Sequence, residues 1–210
     1  MDKIIKGVLH FQKNIFPQHQ TLFDELADKQ TPDTLFITCS DSRIDPNFVT
    51  QTRPGDLFIC RNAGNIVPPH SKTTGGTTAS IEYAVAVLGV RHIVVCGHTN
   101  CGAMNGAIHM DSLEGLPHVK EWLGHTRSAI EIVKAQGNEL DESQIRRVTE
   151  ENVLQQLQHL KTHPVVAAKL ATDELQLHGW MYEIESGNVF CSDGENRFFE
   201  PLETFYQLAI

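Results

Sequence analysis

Three short apolar segments stand out along the first hundred residues, at 34–38, 56–60 and 92–96. Their Leu, Ile, Val and Phe residues occupy consecutive positions instead of alternating with polar ones. Consecutive apolar positions over so short a length indicate strands that are buried on both faces, as in a parallel sheet. The pattern therefore predicts three neighbouring parallel strands.

Helical spacing of apolar residues fills the intervals between and after these strands. Ile81, Ala84, Val85 and Leu88 recur at helical spacing and predict a crossover helix over 77–88. Further helices are predicted over 100–108, 117–135, 150–160 and 164–170. The segments 175–184 and 189–191 alternate or run apolar around a turn at 185–188, which predicts an antiparallel hairpin at the sheet edge. The fold class is α/β, with a mostly parallel central sheet, an antiparallel edge strand and flanking helices.

The first thirty residues predict a helical arm that is broken at Pro17. Apolar residues recur at helical spacing on either side of this proline, for example Ile4 and Val8 before it and Leu22 and Leu26 after it. An arm of this kind packs on a core or on a partner subunit. We interpret residues 1–210 as a single domain, with 1–30 as this arm.

Composition excludes several classes of protein. The net charge of −9 contains no basic stripe, which argues against a nucleic-acid surface. The start of the chain has no apolar core of a signal peptide, and no apolar stretch reaches the roughly 18 residues of a membrane span. Five cysteines, an odd number, suit a reducing compartment better than a disulfide framework. We therefore expect a cytoplasmic protein.

Two polar segments begin where predicted strands end, and they carry the candidate chemistry. Cys39 follows the first strand, while His98 and Cys101 follow the third and are three residues apart. Binding sites in parallel sheets form beyond the carboxyl ends of the strands. Two thiolates and one imidazole suit zinc and leave one coordination position for water. Asp41 and Arg43 lie two and four residues after Cys39, where they can orient such a water. The pattern predicts a catalytic zinc site.

Two other interpretations of the same residues stay open. Cysteine often simply packs in a core, and this is the interpretation that fits Cys60, Cys96 and Cys191 within apolar strands. The zinc site itself is a structural or redox-sensing module if Asp41 is a permanent fourth ligand. A nucleotide-binding module is weakly supported, because no Gly-x-Gly-x-x-Gly follows the first strand.

The two metal-binding segments, 39–43 and 97–102, together resemble the beta-class carbonic anhydrases. The resemblance extends over nearly the whole chain and includes the segments 61–68, 81–85 and 178–182. Among these enzymes it is greatest to the bacterial ones associated with cyanate metabolism. The resemblance implies reversible hydration of carbon dioxide to bicarbonate and a proton by zinc-bound hydroxide. Related proteins hydrolyse carbon disulfide or carbonyl sulfide, so a second interpretation keeps the same zinc site and has one of these compounds as the substrate.

The same resemblance implies roles for individual residues and partners. It assigns the zinc ligands to Cys39, His98 and Cys101, with one zinc ion per subunit, and the catalytic dyad to Asp41 and Arg43. It also implies a homodimer or a higher homo-oligomer such as a tetramer, with the helical arm at the dimer interface. The substrate-binding residues that we expect are Gln30, reaching the site across that interface, together with Phe58, Val67, Tyr83 and Gly102.

Overall fold

The computed structural model describes residues 1–72, 74–137 and 140–207, which form two compact units. The first unit, Met1–Thr31, contains helices α1 (Asp2–His10) and α2 (Gln20–Leu26). Between them the chain passes through a wider π-helical turn, Phe11–Ile15, and a tighter 3-10 turn, Phe16–His19. Pro17 lies in that second turn, because a proline cannot donate the hydrogen bond that an α-helix interior requires.

The second unit begins at Pro32 and is built on a six-stranded sheet. The strand order is β2-β1-β3-β4-β5-β6. The pairs β1–β2, β1–β3 and β3–β4 are parallel, whereas β5 runs antiparallel to both β4 and β6. The strands are β1 (Thr34–Cys39), β2 (Leu57–Asn62), β3 (His92–His98), β4 (Gln176–Tyr182), β5 (Val189–Ser192) and β6 (Glu200–Pro201). The predicted α/β class, with its mostly parallel sheet and antiparallel edge, is confirmed.

Helices cover the connections of this sheet. The predicted crossover helix is α4 (Gly76–Glu82), which continues as a π-helical segment, Tyr83–Leu88. The predicted helix over 117–135 is divided at a 3-10 turn, Gly124–Thr126. The other helices are α3 (Pro46–Thr50), α5 (Gly102–Ile108), α6 (Pro117–Leu123), α7 (Arg127–Ala135), α8 (Ile145–Lys161), α9 (Pro164–Leu170) and α10 (Leu202–Phe205). No helix among the described residues is long and apolar enough to cross a membrane.

Helix α8 packs closely on β3 and β4 because glycines face it. A Cβ atom on Gly97 would lie 2.9 Å from Thr149 Cγ2, and one on Gly179 would lie 3.1 Å from Val153 Cγ1. Apolar burial stabilises this contact, since Val153 and Leu157 belong to the same buried cluster as the inner residues of β1 and β3. A second buried cluster contains Cys39 and Cys101 and extends to α5 and α7.

The topology brings the two polar segments to one edge. Strands β1 and β3 are parallel neighbours, so their carboxyl ends, Cys39 and His98, lie at the same edge of the sheet. Helix α5 begins immediately after Cys101. The fold therefore accounts for how residues far apart in sequence meet.

Candidate metal centre and active site

Cys39, His98 and Cys101 form the group of side chains best placed to hold a metal ion. Their ligand atoms all lie within 4.8 Å of one another, and the two sulfurs are 4.0 Å apart. The Cys39 residue is 5 % exposed, and the other two are fully buried. The structure thus brings together the three ligands that the sequence predicts.

The hydrogen bonding of His98 fits a metal ligand. Its Nδ1 lies 2.9 Å from the carbonyl oxygen of Thr99, so an Nδ1–H donor satisfies that carbonyl and leaves a lone pair on Nε2. Nε2 is buried and has no hydrogen-bond partner among the residues that the structure describes. Because an orphaned buried nitrogen is costly, an ion at this position would supply the interaction that the protein leaves out.

The charge on the two thiols points the same way. The hydrogen bond from Cys101 lowers the pKa of Cys39, against the opposing effect of burial. The pKa of Cys101 is raised, because its thiol hydrogen-bonds the Cys39 sulfur. Two thiolates this close repel each other in a buried site, so both ionise only around a cation. Two thiolates and one imidazole fit zinc.

A backbone amide on the loop after β2 also contacts the Cys39 sulfur. Gly64 N–H donates to Cys39 Sγ at 3.3 Å, and the loop is held by Asn152 Nδ2, which donates to the Gly64 carbonyl at 3.0 Å. Asn152 in turn accepts a hydrogen bond from Gln156 Nε2 at 2.8 Å. Asn152 and Gln156 are fully buried on α8. Nothing in the sequence pattern marks this pair, because its effect on the site passes through the backbone of another segment.

Asp41 and Arg43 form a bidentate ion pair beside the three ligands. Arg43 Nε donates to Asp41 Oδ1 at 2.9 Å, and Arg43 Nη2 donates to Asp41 Oδ2 at 2.7 Å. These contacts hold the pKa of Asp41 well below its usual range, so the carboxylate is ionised at neutral pH. Asp41 Oδ2 lies 3.8 Å from His98 Nε2. Both oxygens are engaged by Arg43, and Asp41 is not part of the three-residue ligand group.

Two arginines fix the loop that carries this pair. Arg43 Nη2 also donates to the carbonyl of Asn100 at 2.9 Å, which ties the end of β1 to the turn between the two later ligands. Arg61 donates to the carbonyl oxygens of Cys39, Asp41 and Ile44 at 2.7–3.0 Å. The loop after Cys39 is therefore held from both sides.

The predicted substrate-binding residues lie at different distances from the three candidate ligands. Phe58 and Tyr83 contact each other, with ring centroids 5.9 Å apart. Phe58 pairs with Leu35, four residues before Cys39, which places it about 13 Å along the strand from the metal ligands. Val67 is buried in the core cluster below α8. Gly102 begins α5 next to Cys101, with open space where a Cβ would lie.

Gln30 and three cysteines lie outside the group of candidate ligands. Gln30 belongs to the first unit, and its prediction as a substrate-binding residue stays a prediction. Cys60, Cys96 and Cys191 are buried thiols, as their apolar strands predict.

Comparison with known proteins gives a consistent result. The family model described as "Carbonic anhydrase" matches residues 34–189. A carbonic anhydrase of Pseudomonas aeruginosa is 47% identical over 202 residues, which cover 96% of this chain and 92% of that protein. The solved structure of the beta-carbonic anhydrase CcaA superposes with a TM-score of 0.92 at 42% identity, covering 96% of this chain and 98% of that one. A tetrameric beta-carbonic anhydrase from Sordaria macrospora superposes with a TM-score of 0.80 at 30% identity, covering 90% and 94%.

The fold and the site define an α/β protein in which two cysteines and one histidine, a group that could hold a metal ion, meet at the carboxyl ends of parallel strands. The chain belongs to the beta-class carbonic anhydrases. It is accordingly an enzyme of the lyase class that hydrates carbon dioxide reversibly to bicarbonate and a proton.

Proposed function

We propose that Cys39, His98 and Cys101 hold one zinc ion per subunit, and that Asp41 and Arg43 are the catalytic dyad of carbon dioxide hydration. The observation that carries this proposal is the convergence of two sulfurs on an unpartnered, buried His98 Nε2. Zinc, when bound, acidifies a water molecule and so supplies a nucleophile near neutral pH. All other parts of the reaction fall to the chain's own residues.

Asp41 orients the nucleophile. Its carboxylate lies beside the ligand group and is ionised, so it accepts a hydrogen bond from the nucleophile. The O–H of the nucleophile then points at Asp41, and the lone pair on its oxygen points away from Asp41. Carbon dioxide is linear and apolar, and reaction depends on the angle at which oxygen meets carbon. A fixed acceptor therefore contributes through orientation, the factor that turns a random encounter into a productive one.

Arg43 keeps Asp41 in that role. The two parallel hydrogen bonds hold the carboxylate in one plane, and the positive charge keeps it deprotonated. The same contact satisfies both carboxylate oxygens, which favours a carboxylate outside the metal's coordination shell. Asp41 would then leave room for a water molecule beside an ion held by Cys39, His98 and Cys101.

The apolar wall for carbon dioxide is proposed to come from a second copy of the chain. Phe58 lies about 13 Å along the strand from the candidate ligands of its own subunit and contacts Tyr83, so the pair is set back from that subunit's own site. Tyr83 is 44 % exposed, and such an aromatic pair is available to a neighbour. We also propose that Gln30 reaches the site of a partner across the dimer interface, and that Val67 and Gly102 belong to the site of their own subunit. The enzyme is thus a homodimer or higher oligomer of one domain, and we propose a cytoplasmic location.

Metal analysis combined with a stopped-flow assay tests this assignment. The purified protein is expected to hold one zinc per chain and to hydrate carbon dioxide. Asp41→Ala is expected to retain zinc and to lose at least about 100-fold in kcat, because removing a positioned hydrogen-bonding group costs this much in comparable sites. Cys101→Ser serves as the paired variant that should lose both metal and activity. Zinc loss together with unfolding in Asp41→Ala would instead favour a structural module with Asp41 as a ligand.

A further inference from the structure

The carboxylate of Glu185 bridges the two residues that connect the later metal ligands. Glu185 lies in the loop between β4 and β5, and Thr99 and Asn100 separate His98 from Cys101. Thr99 Oγ1 donates to Glu185 Oε2 at 2.8 Å, and Asn100 Nδ2 donates to Glu185 Oε1 at 2.7 Å. One carboxylate thus uses both oxygens on one two-residue turn.

The backbone of the same turn holds two parts of the site. The Thr99 carbonyl accepts the hydrogen bond from His98 Nδ1 that sets the orientation of the imidazole. The Asn100 carbonyl accepts the hydrogen bond from Arg43 Nη2, and Arg43 positions Asp41. The position of the turn therefore controls a metal ligand and the dyad together.

Other contacts hold only part of this turn. Asn100 has φ +52°, a left-handed conformation that asparagine adopts more readily than most non-glycine residues. Thr99 is anchored by its own amide, which donates to the Tyr182 carbonyl at 3.0 Å, and its hydroxyl accepts from Ile184 N–H at 3.0 Å. The only polar contact described for the Asn100 side chain is that with Glu185.

We infer that Glu185 is a positioning residue of the metal centre, whose carboxylate fixes the 98–101 turn and through it both the His98 ring and the Arg43–Asp41 pair. The inference rests on the proposed function of those residues. The hydrogen bond from Thr99 lowers the pKa of Glu185, so the carboxylate is ionised at neutral pH. Groups that orient a metal ligand from outside its coordination shell commonly alter both metal affinity and turnover.

Glu183 offers a matched control in the same loop. It pairs with Arg146 and accepts a hydrogen bond from Ser186, and none of its described hydrogen bonds or ion pairs involves Thr99 or Asn100. Glu183→Ala removes the same charge two residues away. It leaves the tether of the metal-binding turn in place.

The test compares Glu185→Ala, Glu185→Gln and Glu183→Ala with the unchanged enzyme. We expect Glu185→Ala to lower kcat about tenfold with little change in KM, and to speed zinc transfer to a chelator by a similar factor. The visible spectrum of the cobalt-substituted protein should shift as the imidazole reorients. In Glu185→Gln the amide oxygen still accepts from the Thr99 hydroxyl, and the amide nitrogen can donate to Asn100 Oδ1 once the Asn100 amide has rotated by 180°. This variant should therefore recover most of the lost kcat and most of the zinc retention.

Different results separate the possible failures. If Glu185→Ala matches Glu183→Ala in kcat, zinc release and cobalt spectrum, the inference is wrong while the proposed function stands. If the unchanged protein neither holds zinc nor hydrates carbon dioxide, the proposed function is wrong. Hydrogen exchange in the metal-free protein then still decides the tether: amides of residues 98–101 should exchange severalfold faster in Glu185→Ala than in Glu183→Ala, and equal rates would refute it.

Discussion

At Gly64 the absence of a side chain lets a backbone N–H approach the Cys39 sulfur. The residue has φ +82°, where a side chain is strained. A Cβ atom there would also lie 2.8 Å from Met104 Cε and 3.1 Å from Ala103 Cβ, both on α5. Conformation and space therefore both require glycine.

Gly64→Ala should destabilise the protein by about 2 to 4 kcal/mol, the sum of a left-handed alanine and an overpacked contact. Gly89→Ala is the control, because Gly89 has φ +69° but nothing within 4 Å of its Cβ position, and it should cost only about 1 kcal/mol. Urea unfolding of the three proteins measures both values. Equal losses would show that the contact with Met104 contributes nothing.

The grouping of three candidate metal ligands is the part of the site that the sequence predicts best. Cys39, His98 and Cys101 combine soft ligand chemistry with positions at strand ends, and each signal is local. Asn152 could not be predicted in the same way, since it lies 88 residues from Gly64 and acts on the site through that residue's carbonyl. A buried asparagine on a helix looks the same in sequence whatever its partner.

At the level of elements, β3 and β4 share a partly buried histidine contact at the end of the sheet away from the candidate metal ligands. His92 Nδ1 and His178 Nε2 are 3.1 Å apart, and the Tyr206 hydroxyl lies 2.9 Å from His178 Nδ1. Burial lowers the pKa of His178 to about 4, and neighbouring His92 adds to this shift. His178 is therefore neutral in the folded protein at neutral pH.

This contact predicts a pH-dependent loss of stability. In the unfolded chain His178 takes up a proton near pH 6.5, whereas in the folded protein it does so only near pH 4. Stability is therefore full above pH 6.5 and falls as the pH drops towards 4, by up to about 3 kcal/mol from this residue. Urea unfolding between pH 7 and pH 4.5 should show a smaller loss for His178→Gln. Parallel curves for the two proteins would contradict the prediction.

The elements themselves were largely predictable because their signals are local: runs of apolar residues for the strands and helical spacing for the helices. Strands β1, β2 and β3 begin and end within three residues of the predicted ranges, since runs of Ile, Val and Leu define them. Strand β6 and helices α3 and α10 were not predicted. Each is only a few residues long, and its geometry depends on tertiary neighbours more than on its own pattern.

For the molecule as a whole, the most informative surface is the apolar side of α1. Ile4, Ile5, Val8 and Leu9 are between 47% and 63% exposed, and no residue of α1 is buried. Exposed apolar patches of this kind mark association sites. The sequence alone could predict the helix and its apolar stripe, but not which surface covers the stripe, because a covering surface leaves no trace in the helix's own pattern.

Light scattering should therefore give a mass of at least twice the 23.5 kDa of one chain. The double variant Ile5→Asp/Val8→Asp should form a smaller species than the unchanged protein, because burying two carboxylates in an apolar contact is costly. Lys6→Asp changes the net charge by the same amount on the polar side of the helix and should leave the mass unchanged. A double variant with unaltered mass would place the contact elsewhere.

The two sulfurs that would hold the ion are separated by 62 positions in the chain and meet only because β1 and β3 lie side by side. A newly synthesised chain consequently has no zinc-binding site until its tertiary structure is largely complete. If the proposed site holds zinc, ion capture is then a late step of maturation, because the ligands meet only in the folded chain.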